Sequence, residues 1–105
     1  MLAIVAPGQG SQTPGFLTPW FEHFTGVPQI AEMVSHWSKI CGVDLKHLGT
    51  TADADEIKDT ANAQPLIVAA SLLGSHALGI KSCAVTSGHS VGELAAAALS
   101  GAISE

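Results

Sequence analysis

"SGHSVGELAAAALSGA", residues 87–102, contains the serine whose reading decides the fold. Ser90 is either the cap of an alanine-rich helix or a nucleophile held on a sharp turn. Ser-x-x-Glu, from Ser90 to Glu93, is a capping box. The serine oxygen would accept from the backbone N–H of Glu93, and the glutamate carboxylate would reach back. Taken by themselves, these four residues favour a cap. Gly88 and Gly92 change the balance, because they bracket Ser90 two residues away on either side and give G-x-S-x-G. "CAVTS" before them (residues 83–87) is short and β-branched and reads as a strand. "VGELAAAALSGA" after them (residues 91–102) reads as a helix with Gly101 near its end. Strand, sharp turn and helix form the context that makes this motif informative. A serine presented at the top of a sheet is held in a strained conformation. Side chains two positions away would collide with the neighbouring strand and helix, so both positions must be glycine. A plain capping box needs neither. The alanine run 95–98 lets the helix lie close against a sheet, and its N-terminus offers the N–H of Val91 to an oxyanion. These residues predict Ser90 as a nucleophile.

Working outward, "LAIVA" (residues 2–6) is a continuous apolar run ended by Pro-Gly, the pattern of a buried parallel strand. The loop "PGQGSQTPG" follows. "QIAEMVSHWSKI" (residues 29–40) places Ile30, Met33, Val34, Trp37 and Ile40 at helical spacing, with Pro28 suited to the first turn and Gly42 to the stop. "DADEIKDT" is polar and reads as a short helix or turn. Pro65 opens "PLIVAASLLGSHALG", apolar on most faces and therefore a core helix. Strand, helices, strand and helix in this order predict an α/β fold of βαβ type with a parallel sheet. There are no internal repeats and no low-complexity linker.

Composition narrows the function. The 105 residues suffice for one small domain, so no internal boundary is expected. Charged residues make up 12%, about half the usual ~25%. The basic residues are Lys39, Lys46, Lys58 and Lys81, with no arginine. So few charges on a small domain imply that part of the chain is normally covered by more polypeptide or by a partner. A net charge of −5 without clustered Lys or Arg excludes a phosphate-tracking, nucleic-acid-binding surface. Cys41 and Cys83 lack CxxC spacing, which leaves zinc and thioredoxin-like chemistry unsupported. No metal site is expected, and the two read as reduced, semi-buried thiols of a cytoplasmic protein. The N-terminus has no basic n-region and breaks at Pro7, unlike a signal peptide. The uncharged run 60–80 is too interrupted by polar residues to span a membrane, and a buried helix is expected there.

"GQGSQ" fails as a dinucleotide loop, because Thr13 stands where G-x-G-x-x-G needs glycine. It fails as a Walker loop for want of Gly-Lys-Ser/Thr. A tight glycine turn after a strand remains, and such a turn lets a backbone N–H point at a reacting carbonyl.

"PGQGSQ" (residues 7–12), "QPLIVAAS" (residues 64–71) and "GHSVGE" (residues 88–93), in that order, resemble malonyl-CoA:acyl carrier protein transacylase. This acyltransferase loads malonyl groups for fatty acid and polyketide synthesis. The resemblance covers essentially the whole chain. It implies a hydrolase-like α/β acyltransferase core, with residues 1–105 the N-terminal part of its large subdomain. The rest of that subdomain, and a small ferredoxin-like subdomain inserted later, lie outside these residues. It implies further that Ser90 carries the acyl group and that the backbone N–H groups of Gln9 and Val91 form the oxyanion hole. Gln64 would lie near the active site. Gly8, Gly10, Gly88, His89, Gly92 and Glu93 would shape the loop and the elbow. The branched apolar Val91 is usual in malonyl-loading members. Malonyl-CoA would be the substrate, acyl carrier protein the partner, and no cofactor is expected to be bound.

A serine nucleophile needs a base. His89 is adjacent, but side chains neighbouring each other at a sharp turn diverge, so it reads as structural. His23, His36 and His47 precede the elbow on segments without a motif. His76 falls in the core helix, where a satisfied buried histidine is expected. In the family the base is a histidine far downstream, and a downstream arginine binds the malonyl carboxylate by a bidentate pair. Neither role can be filled here, so the chain reads as the N-terminal part of a longer enzyme. The connection from the Pro65 helix to the Cys83 strand is shorter than the family's usual pattern. Two other readings use the same residues: an α/β-hydrolase esterase or thioesterase, which gives no reason for "PGQGSQ", and a non-enzymatic docking module.

Overall fold

The computed structural model describes residues 2–79 and 82–105. Strand β1 (Ala3–Ala6) pairs in parallel with β2 (Val85–Gly88). Between them lie α1 (Thr18–His23), α2 (Pro28–Cys41), α3 (Leu45–Thr50), α4 (Ala54–Lys58) and α5 (Thr60–Leu78), and α6 (Gly92–Leu99) follows β2. The expected α/β arrangement with a small parallel sheet is present. The second strand begins two residues later than the β-branched run suggested. The short connection before it passes through residues 80 and 81, outside the described residues.

The register sets Ala3 opposite Val85 and Ala6 opposite Gly88. Because the strands are parallel, both end on one side of the sheet. The loop after β1 and the turn after β2 therefore emerge together, at the carboxyl ends where α/β sheets bind ligands.

Helix α2 starts at Pro28 and stops at Gly42, which takes φ 75° and donates its N–H to the Ser38 carbonyl. Ile30, Val34 and Trp37 are buried as expected, but Ile40 is 68% exposed. At about 100° per residue, Ile40 falls about 80° off the stripe centred on Ile30, and so at its edge.

Helix α5 corrects the sequence reading. It opens at Thr60, five residues before Pro65, because the Asp59 side chain accepts from the Ala61 N–H and caps it there. Pro65 stands inside the helix, where its missing N–H leaves the Ala61 carbonyl without its usual partner. Two short helices, α1 and α3, were not expected. Asp44 caps α3 by accepting from the His47 N–H at 3.1 Å.

Leu17, Leu45, Leu66, Ile67 and Leu73 are fully buried, and the main apolar cluster is built from helical segments. Among the described residues the sheet is covered on one face only. There α6 packs Ala95 and Ala96 against the strands, and the Thr86 hydroxyl donates to the Ala96 carbonyl at 2.9 Å. Ala3, Val5, Val85 and Ser87 are exposed on the other face, Val5 to 74%, so β1 is a parallel strand as expected but not the buried one its apolar run suggested. Among the described residues no helix is long and apolar enough to cross a membrane.

Candidate active site

Ser90 sits between the end of β2 and the start of α6 with φ 56°, the only non-glycine residue at positive φ among those described. An L-residue pays about 1–2 kcal/mol for this left-handed conformation. The neighbouring backbone holds it there. A Cβ on Gly88 would strike the carbonyl group of Gly92 and the amide nitrogen of Glu93. A Cβ on Gly92 would strike the carbonyl oxygens of Ala6 and Pro7. Strand, turn and helix thus close on one another through backbone contacts that only glycine permits.

The cap question resolves at the same place. The Glu93 N–H donates to the backbone carbonyl of Ser90 at 3.0 Å, and the Gly92 N–H to the carbonyl of His89 at 3.0 Å. No side chain caps α6. Ser90 therefore caps with its main-chain oxygen, and its exposed hydroxyl makes no hydrogen bond among the described residues. The capping box does not form: at φ 56° Ser90 lacks the extended backbone of an N-cap, and neither its hydroxyl nor the Glu93 carboxylate makes a hydrogen bond among the described residues.

The loop from β1 lies against this turn. A Cβ on Gly8 would come within 2.6 Å of the His89 carbonyl oxygen, 2.8 Å of His89 Nδ1 and 3.3 Å of Ser90 Cβ. Gly10 has φ 111° with open space around its α-carbon. The N–H groups of Gln9 and Val91 donate to no acceptor among the described residues. One belongs to the loop beside Ser90 and the other follows it directly in the chain. Two such donors next to a hydroxyl can stabilise a developing oxyanion.

Gln64 is exposed on α5 and shares with Val91 an apolar cavity of about 500 Å³, also lined by Trp37, Leu72 and Leu94. His89 folds over Gly8, as the contact with its Nδ1 records. His76 is not the buried histidine expected. It lies on the last turn of α5 with its side chain 37% exposed and its Nε2 3.0 Å from Glu105. His47 Nε2 pairs with Glu56 at 3.0 Å, and its Nδ1 meets the Thr51 hydroxyl at 2.7 Å. His23 packs edge-on against Phe24, and His36 is exposed on α2. No histidine among the described residues bonds the Ser90 hydroxyl. Both cysteines are free, with Cys41 exposed rather than semi-buried and Cys83 half-buried.

Gln12 escaped the sequence reading. Its side-chain oxygen accepts from the Gly10 N–H at 2.8 Å, and its side-chain nitrogen donates to the Ile57 carbonyl at 3.1 Å. The partner is a backbone group 45 residues away, which leaves no trace in the local pattern.

Fold and site together define the class: an α/β chain whose parallel strands end beneath a strand–turn–helix elbow bearing an unpartnered serine. Comparison with known proteins is more particular. Over 98% of its length the chain is 50% identical to the malonyl CoA-acyl carrier protein transacylase of Mycobacterium tuberculosis strain H37Rv and covers 34% of it. A crystal structure of MCAT from Mycobacterium tuberculosis superposes with a TM-score of 0.83 at 49% identity, over 94% of this chain and 33% of that one. A type II PKS acyl-carrier protein in complex with its malonyl-transacylase matches with a TM-score of 0.77 at 32% identity, over 94% of this chain and 32% of the other. No protein-family model matches. The chain is homologous to the N-terminal part of malonyl CoA-acyl carrier protein transacylases and spans about a third of the length of the curated relatives it matches.

Proposed function

We propose that the chain is the nucleophile-bearing part of a malonyl-CoA:acyl carrier protein transacylase, in which Ser90 carries the malonyl group. The observation behind the reading is the state of Ser90: left-handed at φ 56°, its hydroxyl unengaged, followed directly by the unengaged N–H of Val91 and packed against the Gly8 loop that carries the unengaged N–H of Gln9. In this reading the core is hydrolase-like, and residues 1–105 belong to its large subdomain. The general base and the cation that binds the malonyl carboxylate come from polypeptide outside these residues. The one-third coverage of the relatives supports that division.

The reaction runs in two exchanges. Ser90 Oγ attacks the thioester carbonyl of malonyl-CoA and gives its proton to the base. The N–H groups of Gln9 and Val91 hold the oxyanion, the C–S bond breaks, and CoA leaves with the proton. The phosphopantetheine thiol of acyl carrier protein then attacks the malonyl ester. The thiol gives its proton to the base, the same donors hold the second oxyanion, the C–O bond breaks, and the base returns the proton to the serine oxygen, restoring the hydroxyl. No bound cofactor or metal enters either step. The naming of a neighbour as an acyl-carrier protein in complex with its malonyl-transacylase supports the choice of partner. The two free thiols support a reducing, cytoplasmic setting.

The test is malonyl transfer by the longer enzyme in the presence and absence of acyl carrier protein. Transfer to the carrier thiol that Ser90→Ala abolishes is the expected outcome. Release of free malonate at the same rate with or without carrier would point instead to a serine thioesterase.

A further inference from the structure

We propose that Gln12 is a positioning residue for the oxyanion donor: its side-chain amide ties the loop after β1 to α4 and so fixes the N–H of Gln9 beside Ser90. The inference rests on the reading of Ser90 as the acyl carrier.

Both ends of the Gln12 amide are engaged. Its oxygen accepts from the Gly10 N–H at 2.8 Å, and its nitrogen donates to the Ile57 carbonyl at 3.1 Å. The Gly10 N–H belongs to the planar peptide unit that joins Gln9 to Gly10. Holding that N–H orients the whole plane, leaving only the two backbone torsions of Gln9 between it and Gln9's own N–H. Packing fixes the loop at Gly8 but adds no contact at Gly10, which at φ 111° has open space around its α-carbon.

The other end of the tie is rigid. Ile57 lies in the last turn of α4, where carbonyls have no partner within the helix. Ile57 is only 2% exposed and lies within the apolar cluster. Helix α4 is itself anchored at both ends. Asp53 accepts from the Glu56 N–H at 2.9 Å, and Asn62 Nδ2 donates to the Glu56 carbonyl at 3.0 Å. Gln12 thus references an exposed loop to the buried helical core. Two further ties act with it. Gln9 Nε2 donates to the Thr60 hydroxyl at 3.1 Å, and the Ser11 hydroxyl donates to the Gly8 carbonyl at 3.0 Å.

Removing an oxyanion donor outright costs roughly 10²–10³ in rate, so misplacing one should cost about 10–100-fold. Gln12→Ala is compared with wild type in two ways. In the 105-residue chain, amide hydrogen exchange at Gly10 should accelerate about tenfold or more, with α2 and α5 protected as before. In the longer enzyme, single-turnover acylation of Ser90 by malonyl-CoA should slow about 10–100-fold, while KM for malonyl-CoA stays within about twofold. Gln12→Glu provides the second variant. It keeps an acceptor for Gly10 but has no N–H for Ile57, so Gly10 should stay protected while acylation still slows. Unchanged Gly10 exchange in Gln12→Ala overturns the proposal, and so does acylation at the wild-type rate in both variants. Should the wild-type enzyme take up no malonyl group, the functional reading fails instead. Gly10 exchange then still decides whether Gln12 holds the loop.

Discussion

The helical crossover and the strand–elbow unit are built on different principles. The crossover, from Leu17 to Leu73, holds the fully buried leucines and nearly all the large buried side chains. The strands and α6 bury mainly Ala6, Gly92, Ala95 and Ala96, and leave Val5, Val85 and Leu94 more than half exposed. One region is held by side-chain packing. The other is held by backbone pressed against backbone through Gly8, Gly88 and Gly92. The difference shows how a strained serine can persist in a small chain. Apolar burial in the crossover supplies the stability, and the elbow uses part of it to hold φ 56° at Ser90.

Four substitutions test that division, compared by urea unfolding. Leu66→Ala, in the crossover, should destabilise by about 2–5 kcal/mol, the range for deleting a fully buried leucine. A loss under about 1 kcal/mol would mean that the crossover is not the store of stability. Gly92→Val, in the elbow, should cost about 1–3 kcal/mol as an overpacked site, and it should also disable the serine. Here the clash is with the Ala6 and Pro7 carbonyls, which cannot change rotamer. Full transferase turnover in a soluble Gly92→Val enzyme would break the steric account of the elbow. Ser90→Gly should stabilise by about 0.5–1 kcal/mol. Relief of the left-handed penalty, about 1–2 kcal/mol, outweighs the extra backbone entropy of glycine, about 0.5–1 kcal/mol. Ser90→Ala keeps the strain and should be nearly neutral, so equal stability of the two variants would remove the claim of strain.

The same contrast explains what could be read from the sequence. The elbow was legible because its requirements are local: glycines two residues to either side of Ser90, a β-branched run before and alanines after. The first strand and α2 were legible from apolar runs, Pro28 and Gly42. Helices α1 and α3, six residues each, are too short to build a periodic pattern, although Asp44 was an available cap signal for α3. Pro65 misled because proline favours the first turn of a helix, yet Asp59 starts α5 earlier. The exposure of His76 and the role of Gln12 depend on partners far along the chain, Glu105 and the Ile57 carbonyl. Such pairings follow from the tertiary fold and not from local spacing.

The central claim is that the Ser90 hydroxyl accepts the acyl group. The direct measurement is tandem mass spectrometry of the longer enzyme after brief incubation with malonyl-CoA and no carrier protein. A malonyl ester confined to Ser90, absent from Ser90→Ala and discharged when acyl carrier protein is added, is the predicted result. A malonyl adduct on another residue that persists in Ser90→Ala and is discharged to the carrier at the wild-type rate would contradict it.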